Sequence, residues 1–125
     1  LKSYRPYKRT DRVANEILHI LGSIQIESID LSPLGFVTFT QVDVTADLRS
    51  AKVYFSVVDP KEDRKTLERE MNHLAKKFRK YLGQELRTKF IPELKFFFDD
   101  TYEYTQKLDV LFQEISGSGD ATKDS

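Results

Sequence analysis

The chain has 125 residues, 39% of them hydrophobic and 32% charged, enough for one self-sufficient core and too little for two. Twenty basic and twenty acidic side chains cancel to a formal charge of zero; the lack of cysteine excludes a disulfide scaffold and thiolate chemistry and fits a reducing cytosol. No apolar run approaches the ~18 residues that cross a bilayer, no signal peptide is visible, and the start at Leu1 leads us to expect a trimmed initiator or leader.

Residues 1–9 read as a loosely ordered basic arm with Tyr4, Pro6 and Tyr7 among its cations. Thr10 or Asp11 can cap a first helix, whose apolar face is Val13, Ile17, Leu21 and Ile24, with Gly22-Ser23 as one place to end it. Ser32-Pro33-Leu34-Gly35 is a turn. Residues 36–44 are rich in β-branched and aromatic residues. Val37 and Phe39 share one parity and Val42 and Val44 the other, so a bulge or break is expected near Thr40-Gln41. Ala51, Val53, Phe55 and Val57 alternate with Lys52, Tyr54 and Ser56, marking a half-buried strand that pairs antiparallel with the first.

Asp59-Pro60 has the form of a helix start, a carboxylate cap followed by a proline that needs no N–H in the first turn. Leu67, Met71, Leu74, Phe78, Leu82 and Leu86 then form one long stripe, and Gly83 is a natural place for the helix to end or bend. Pro92 forces Ile91 toward extended geometry, after which Leu94, Phe96 and Phe98 form the inward face of a third strand. Phe97, on the other parity, is either an exposed contact or covered by a last helix. That helix is capped by Asp99, Asp100 or Thr101 and buries Tyr104, Leu108, Leu111 or Phe112, and Ile115. The tail 116–125 has a linker-like, disordered composition. The expected architecture is an α+β two-layer sandwich of order α-β-β-α-β-α, helices on one face of a three-stranded sheet, in a single domain spanning 10–115.

Catalytic patterns are scarce. His19 and His73 have no second ligand at i+3 or i+4, the five glycines form no phosphate-binding loop, and no serine sits in a nucleophile elbow. Asp99-Asp100 could form an acid pair. Adjacent residues at a strand end point in different directions, however, so capping the next helix is the better reading. The expectation is therefore no catalytic residue, no metal and no cofactor.

Charge is segregated along the chain. Residues 1–12 carry five cations against Asp11, and residues 76–95 carry seven against Glu85 and Glu93, while 96–125 carry seven acids against Lys107 and Lys123. Lys61, Arg64, Lys65 and Arg69 are interleaved with acids, whereas Lys76, Lys77, Arg79, Lys80, Arg87 and Lys89 have only Glu85 among them. A solvated helix face normally mixes signs, so this one-signed stretch reads as a surface for an anionic partner.

These features together resemble the ribosome-binding factor A family, bacterial assembly factors of the small ribosomal subunit. The resemblance covers roughly residues 8–112. It rests on Arg9-Thr10-Asp11-Arg12-Val13, on the 36–48 and 51–57 strands, and on Leu86-Arg87-Thr88-Lys89-Phe90-Ile91-Pro92-Glu93-Leu94-Lys95-Phe96-Phe97-Phe98-Asp99-Asp100. It implies a type II KH-like fold without the GxxG loop by which ordinary KH domains clamp RNA. Family members usually place an Ala-x-Gly kink between two helices. This chain has Ala75-Lys76-Lys77 there, so a weaker kink or a continuous helix is expected.

The resemblance implies a non-enzymatic, cytoplasmic factor that binds the small ribosomal subunit and its rRNA during late maturation, with most importance in the cold. The expected RNA-binding residues are Arg5, Lys8, Arg9, Arg12, Lys76, Lys77, Arg79, Lys80, Arg87 and Lys89. The chain is expected to be a monomer, with no membrane partner and no small-molecule substrate. The alternatives are a protein–protein adaptor that uses the acidic C-terminal third, and an acid–base hydrolase built on Asp99 and Asp100.

Overall fold

The parity switch in residues 36–44 is a β-bulge. Strand β1 (Phe36–Val44) pairs antiparallel with β2 (Ser50–Val58), Phe39 opposite Phe55; the register then shifts, so that Gln41 faces Tyr54 and Val44 faces Ala51. The extra residue at Thr40 lets Val37 and Phe39 on one side of the bulge, and Val42 on the other, all reach the same buried face. Strand β3 (Glu93–Phe98) lies parallel to β2 on its other edge, giving the sheet order β1-β2-β3.

The structure, a computed structural model, describes residues 9–100. The expected basic arm before Arg9, the helix expected after β3 and the 116–125 tail lie outside these residues. Helices α1 (Arg9–Glu27), α2 (Arg64–His73) and α3 (Ala75–Glu85) cover one face of the sheet. The two-layer, KH-like α+β arrangement therefore stands, with the order α-β-β-α-α-β over the described residues, one helix more than expected. No helix among them is long and apolar enough to cross a membrane.

The expected stripes are the core. Ile17, Leu21, Ile24, Val53, Phe55, Leu67, Met71, Phe78, Leu82 and Phe96 are almost completely removed from solvent. Helix α1 starts at Arg9, so Thr10 and Asp11 sit inside its first turn. Gly22-Ser23 does not end the helix, because Ile24 is buried and draws it on to Glu27.

Two local expectations are overturned. The cap of α2 is Asp63, which accepts a hydrogen bond from the Thr66 N–H at 2.8 Å, and not Asp59. Asp59 has φ 58° and turns the chain, while the Lys61 N–H donates to the Leu34 carbonyl at 3.0 Å. The 59–61 segment is thus held to the 32–34 turn and cannot begin a helix. Gly35 makes this approach possible: at φ 122° it has no Cβ, and one placed there would lie 2.8 Å from the Asp59 carbonyl oxygen.

The second correction concerns the long stripe. The helix is not continuous; it breaks at Leu74. Leu74 has φ −91° and ψ 0°, its N–H turns back to the Met71 carbonyl at 3.0 Å, and its own carbonyl accepts from the Phe78 N–H to start α3. This tightened turn uses only negative φ, so no glycine is needed and lysine at position 77 does not straighten the chain. Asn72 fixes the break from the side, its amide donating to the Phe96 carbonyl at 2.9 Å and accepting from the Phe96 N–H at 2.8 Å. Glu68 accepts from the Phe98 N–H at 2.7 Å.

A candidate nucleic-acid interface on α3

Helix α3 buries Phe78 and Leu82 and turns its cations outward. Lys76, Arg79, Lys80 and Gly83 line an open groove of about 480 Å³, closed on its far side by Ile91 from the α3–β3 connection. Lys76 and Lys80 are one turn apart on the same face, an arrangement that weakens a helix by mutual repulsion. Neither they nor Lys77, Arg87 and Lys89 form an ion pair among the described residues. Charges on α2 behave differently: Arg64 pairs with Asp100 at 2.9 Å, and Arg69 and His73 lie near Glu70. The segregation read along the chain is therefore also a segregation in space.

Arg79 has a second occupation. Its Nη2 donates to the Ile91 carbonyl at 2.8 Å, and Nε lies 3.2 Å from both the Ile91 and Pro92 carbonyls. The guanidinium thus braces the connection that forms the groove's wall while adding its charge to the floor. Gly83 leaves the groove open, and a Cβ there would meet Ile91 Cγ1 at an ordinary 3.6 Å. Gly83→Ala is accordingly expected to fit, to narrow the groove and to raise stability by up to about 1 kcal/mol in denaturant unfolding, glycine being the poorer helix former.

The other expected residues among those described do not line this groove. Arg87 and Lys89 are exposed on the α3–β3 connection, and Lys77 is exposed on α3 without lining the groove. Arg9 and Arg12 are exposed at the start of α1, and Arg5 and Lys8 lie outside the described residues. The sequence reading missed Arg49. In the β1–β2 loop, its guanidinium lies 4.0 Å from the centre of the Phe90 ring, with the Lys89 ammonium 5.5 Å from the same ring. A lone arginine in a hairpin loop gives no signal in the sequence; only the parallel pairing of β2 and β3 brings it to Phe90.

Other sites fit less well. A groove of about 570 Å³ beside the α2–α3 break carries Asp43 and Glu93 against Lys52 and Lys95, so its rim has no net attraction for an anion. Asp99 and Asp100 do not act as a pair: Asp99 accepts from the Thr40 hydroxyl at 2.6 Å, while Asp100 holds Arg64. Among the described residues, no cluster of His, Asp or Glu is placed to hold a metal. Phe97 is half-buried against Tyr54, ring centres 5.7 Å apart.

A family model described as Ribosome-binding factor A matches residues 9–112. The chain belongs to the ribosome-binding factor A family. A relative of that description from Geobacter sp. (strain M21) is 37% identical over 113 residues, which cover 90% of this chain and 95% of the relative. The NMR structure of a candidate ribosome binding factor A from Thermotoga maritima superposes with a TM-score of 0.61 at 30% identity, covering 75% of this chain and 90% of the other. The fold also matches, at TM-score 0.55 and 16% identity, a homology model of the Thermus thermophilus ribosome binding factor A fitted into a cryo-EM map of its 30S complex; 69% of this chain and 90% of that one are covered. The family match begins at Arg9 and takes in α1, the whole sheet and the α3 groove, leaving Arg5 and Lys8 outside it.

Proposed function

We propose that this chain is a non-catalytic, cytoplasmic assembly factor that binds the small ribosomal subunit through its rRNA during late maturation. The observation that carries the reading is the α3 groove, where Lys76, Arg79 and Lys80 converge and the two lysines have no acidic partner among the described residues. Such a surface is costly for a helix to maintain and suits a row of phosphates. Family membership supports the ribosome as the source of those phosphates, and the 30S complex of the Thermus thermophilus protein supports the small subunit. Lys77, Arg87, Lys89, Arg9 and Arg12 extend the contact around the groove, with Arg5 and Lys8 of the basic arm assisting. The acidic C-terminal third opposes capture by any polyanion, so a zero net charge suits a factor that must leave the finished subunit. A need for the factor that is greatest in the cold, where misfolded RNA escapes slowly, belongs to the same reading. The protein acts as a monomer and takes no cofactor or small-molecule substrate.

Co-sedimentation with immature and mature small subunits over a range of salt tests the proposal. Neutralising about five phosphates gives a log–log slope near −4, at roughly −0.7 to −0.9 per phosphate. Preference for immature subunits with that slope is expected. A flat salt response, or no binding, would sink the proposal.

A further inference from the structure

The groove is cationic, and the residue next to its wall in the chain is aromatic. Ile91 forms the groove's wall, and Phe90, the residue before it, is 36% exposed under the Arg49 guanidinium at 4.0 Å. A large apolar ring left partly in water beside a phosphate-binding surface needs a reason, and so does the rigidity of the loop above it. Leu48 is buried at φ 62°, anchoring the β1–β2 loop in the core. Asp47 accepts from the Thr45 hydroxyl at 2.7 Å and from the Arg49 N–H at 3.1 Å, and these bonds hold its carboxyl below the usual range. The Ser50 N–H donates to the Thr45 hydroxyl, and the Arg49 carbonyl accepts from the Glu93 N–H at 2.9 Å, tying the loop to the start of β3. On the other side, the Thr88 hydroxyl donates to the Phe90 carbonyl. The backbone that carries each half of the stack is thus tied down before any partner arrives.

From this placement we infer that the Arg49–Phe90 pair is a stacking platform for one unpaired rRNA base next to the phosphates held by Lys76 and Lys80. Guanidinium and phenyl planes both stack on bases, and the contact selects single-stranded over paired RNA because a paired base is already stacked. Lys89, 5.5 Å from the ring, is placed to meet the phosphate of the stacked nucleotide. The inference deepens the proposed function and rests on it: the site would recognise a splayed nucleotide, a feature of rRNA that has not finished folding.

The natural chain has no tryptophan, so Phe90→Trp in the full chain provides a single emitter at the platform. On mixing with isolated immature small subunits, its fluorescence lifetime is expected to shorten as the indole stacks on a base. Phe90→Leu and Arg49→Gln are expected to weaken binding by about 5- to 100-fold for one lost stack, Phe90→Tyr to bind as the wild type, and the salt slope of Phe90→Leu to stay unchanged. A Phe90→Trp protein that binds with wild-type affinity and an unchanged lifetime overturns the platform and leaves the phosphate groove standing. Phe90→Leu bound within two-fold of wild type also overturns it. If the wild-type chain does not bind subunits at all, the functional reading fails and the platform with it.

Discussion

Changing Lys76, Lys77 and Lys80 together to glutamate is expected to weaken small-subunit binding by about 100- to 1,000-fold near physiological salt. Each lysine removed from a phosphate forfeits its counterion release, roughly five-fold in affinity at this ionic strength, and each glutamate adds repulsion. The salt slope should fall by about one unit for each phosphate no longer neutralised, so by two to three. All three side chains are exposed, and none is in an ion pair among the described residues, so the folded state loses little. Exposed substitutions of this kind usually change stability by no more than about 0.5 kcal/mol, and the Tm should hardly move. Lys65→Glu on the mixed-sign helix α2 is the control and should bind normally. Arg79 is left in place because it holds the Ile91–Pro92 segment, and its loss would confound charge with structure. If the triple variant binds as well as the wild type, the subunit meets another face.

The second large effect concerns stability. Phe78 is fully buried, with ring centres 5.8 Å from Phe39 and 5.4 Å from Phe96, the Phe39 contact edge-on. It is where β1, β3 and α3 meet. Phe78→Ala is expected to cost about 3–5 kcal/mol, the range for emptying an aromatic site in a packed core. Against the 5–15 kcal/mol typical of a whole domain, roughly a fifth or more of the stability would be lost. Denaturant unfolding should show a lower midpoint with a similar slope, and Phe78→Leu should recover most of the difference. A loss below about 1 kcal/mol for Phe78→Ala would mean that α3 is not held in the way described. Because the groove is built on α3, this variant should also bind subunits poorly, through population rather than through contact.

What could be read from the sequence, and what could not, follows from how each signal arises. The bulge at Thr40 was legible because a strand must keep its apolar residues on one face, and the switch from Val37 and Phe39 to Val42 leaves one residue over. The third strand was legible because Pro92 excludes helix and Leu94, Phe96 and Phe98 alternate. The α2–α3 break was not, since Leu67, Met71, Phe78 and Leu82 keep helical spacing across a single tightened turn. The position of the α2 cap was masked by Asp59-Pro60, a good local start signal overridden by the tie between Lys61 and Leu34. At the site, the cations of α3 stood out as an unbalanced run. That Arg79 spends hydrogen bonds on its own chain, and that Arg49 covers Phe90, depend on residues 12 and 41 positions apart meeting in space.

The side chains that α2 lays along β3 have a consequence for solubility. An outer strand normally offers its free N–H and C=O groups to any passing chain, and sheets can grow by stacking copies along such an edge. Here Asn72 takes up both groups of Phe96, and Glu68 takes up the N–H of Phe98 with a carboxylate. A strand as rich in phenylalanine as β3 would be a strong template for fibres, yet its own helix already occupies its edge at Phe96 and at the Phe98 N–H. The chain can then expose the cations of α3 while its phenylalanine-rich outer strand offers copies of itself fewer free backbone groups to pair with.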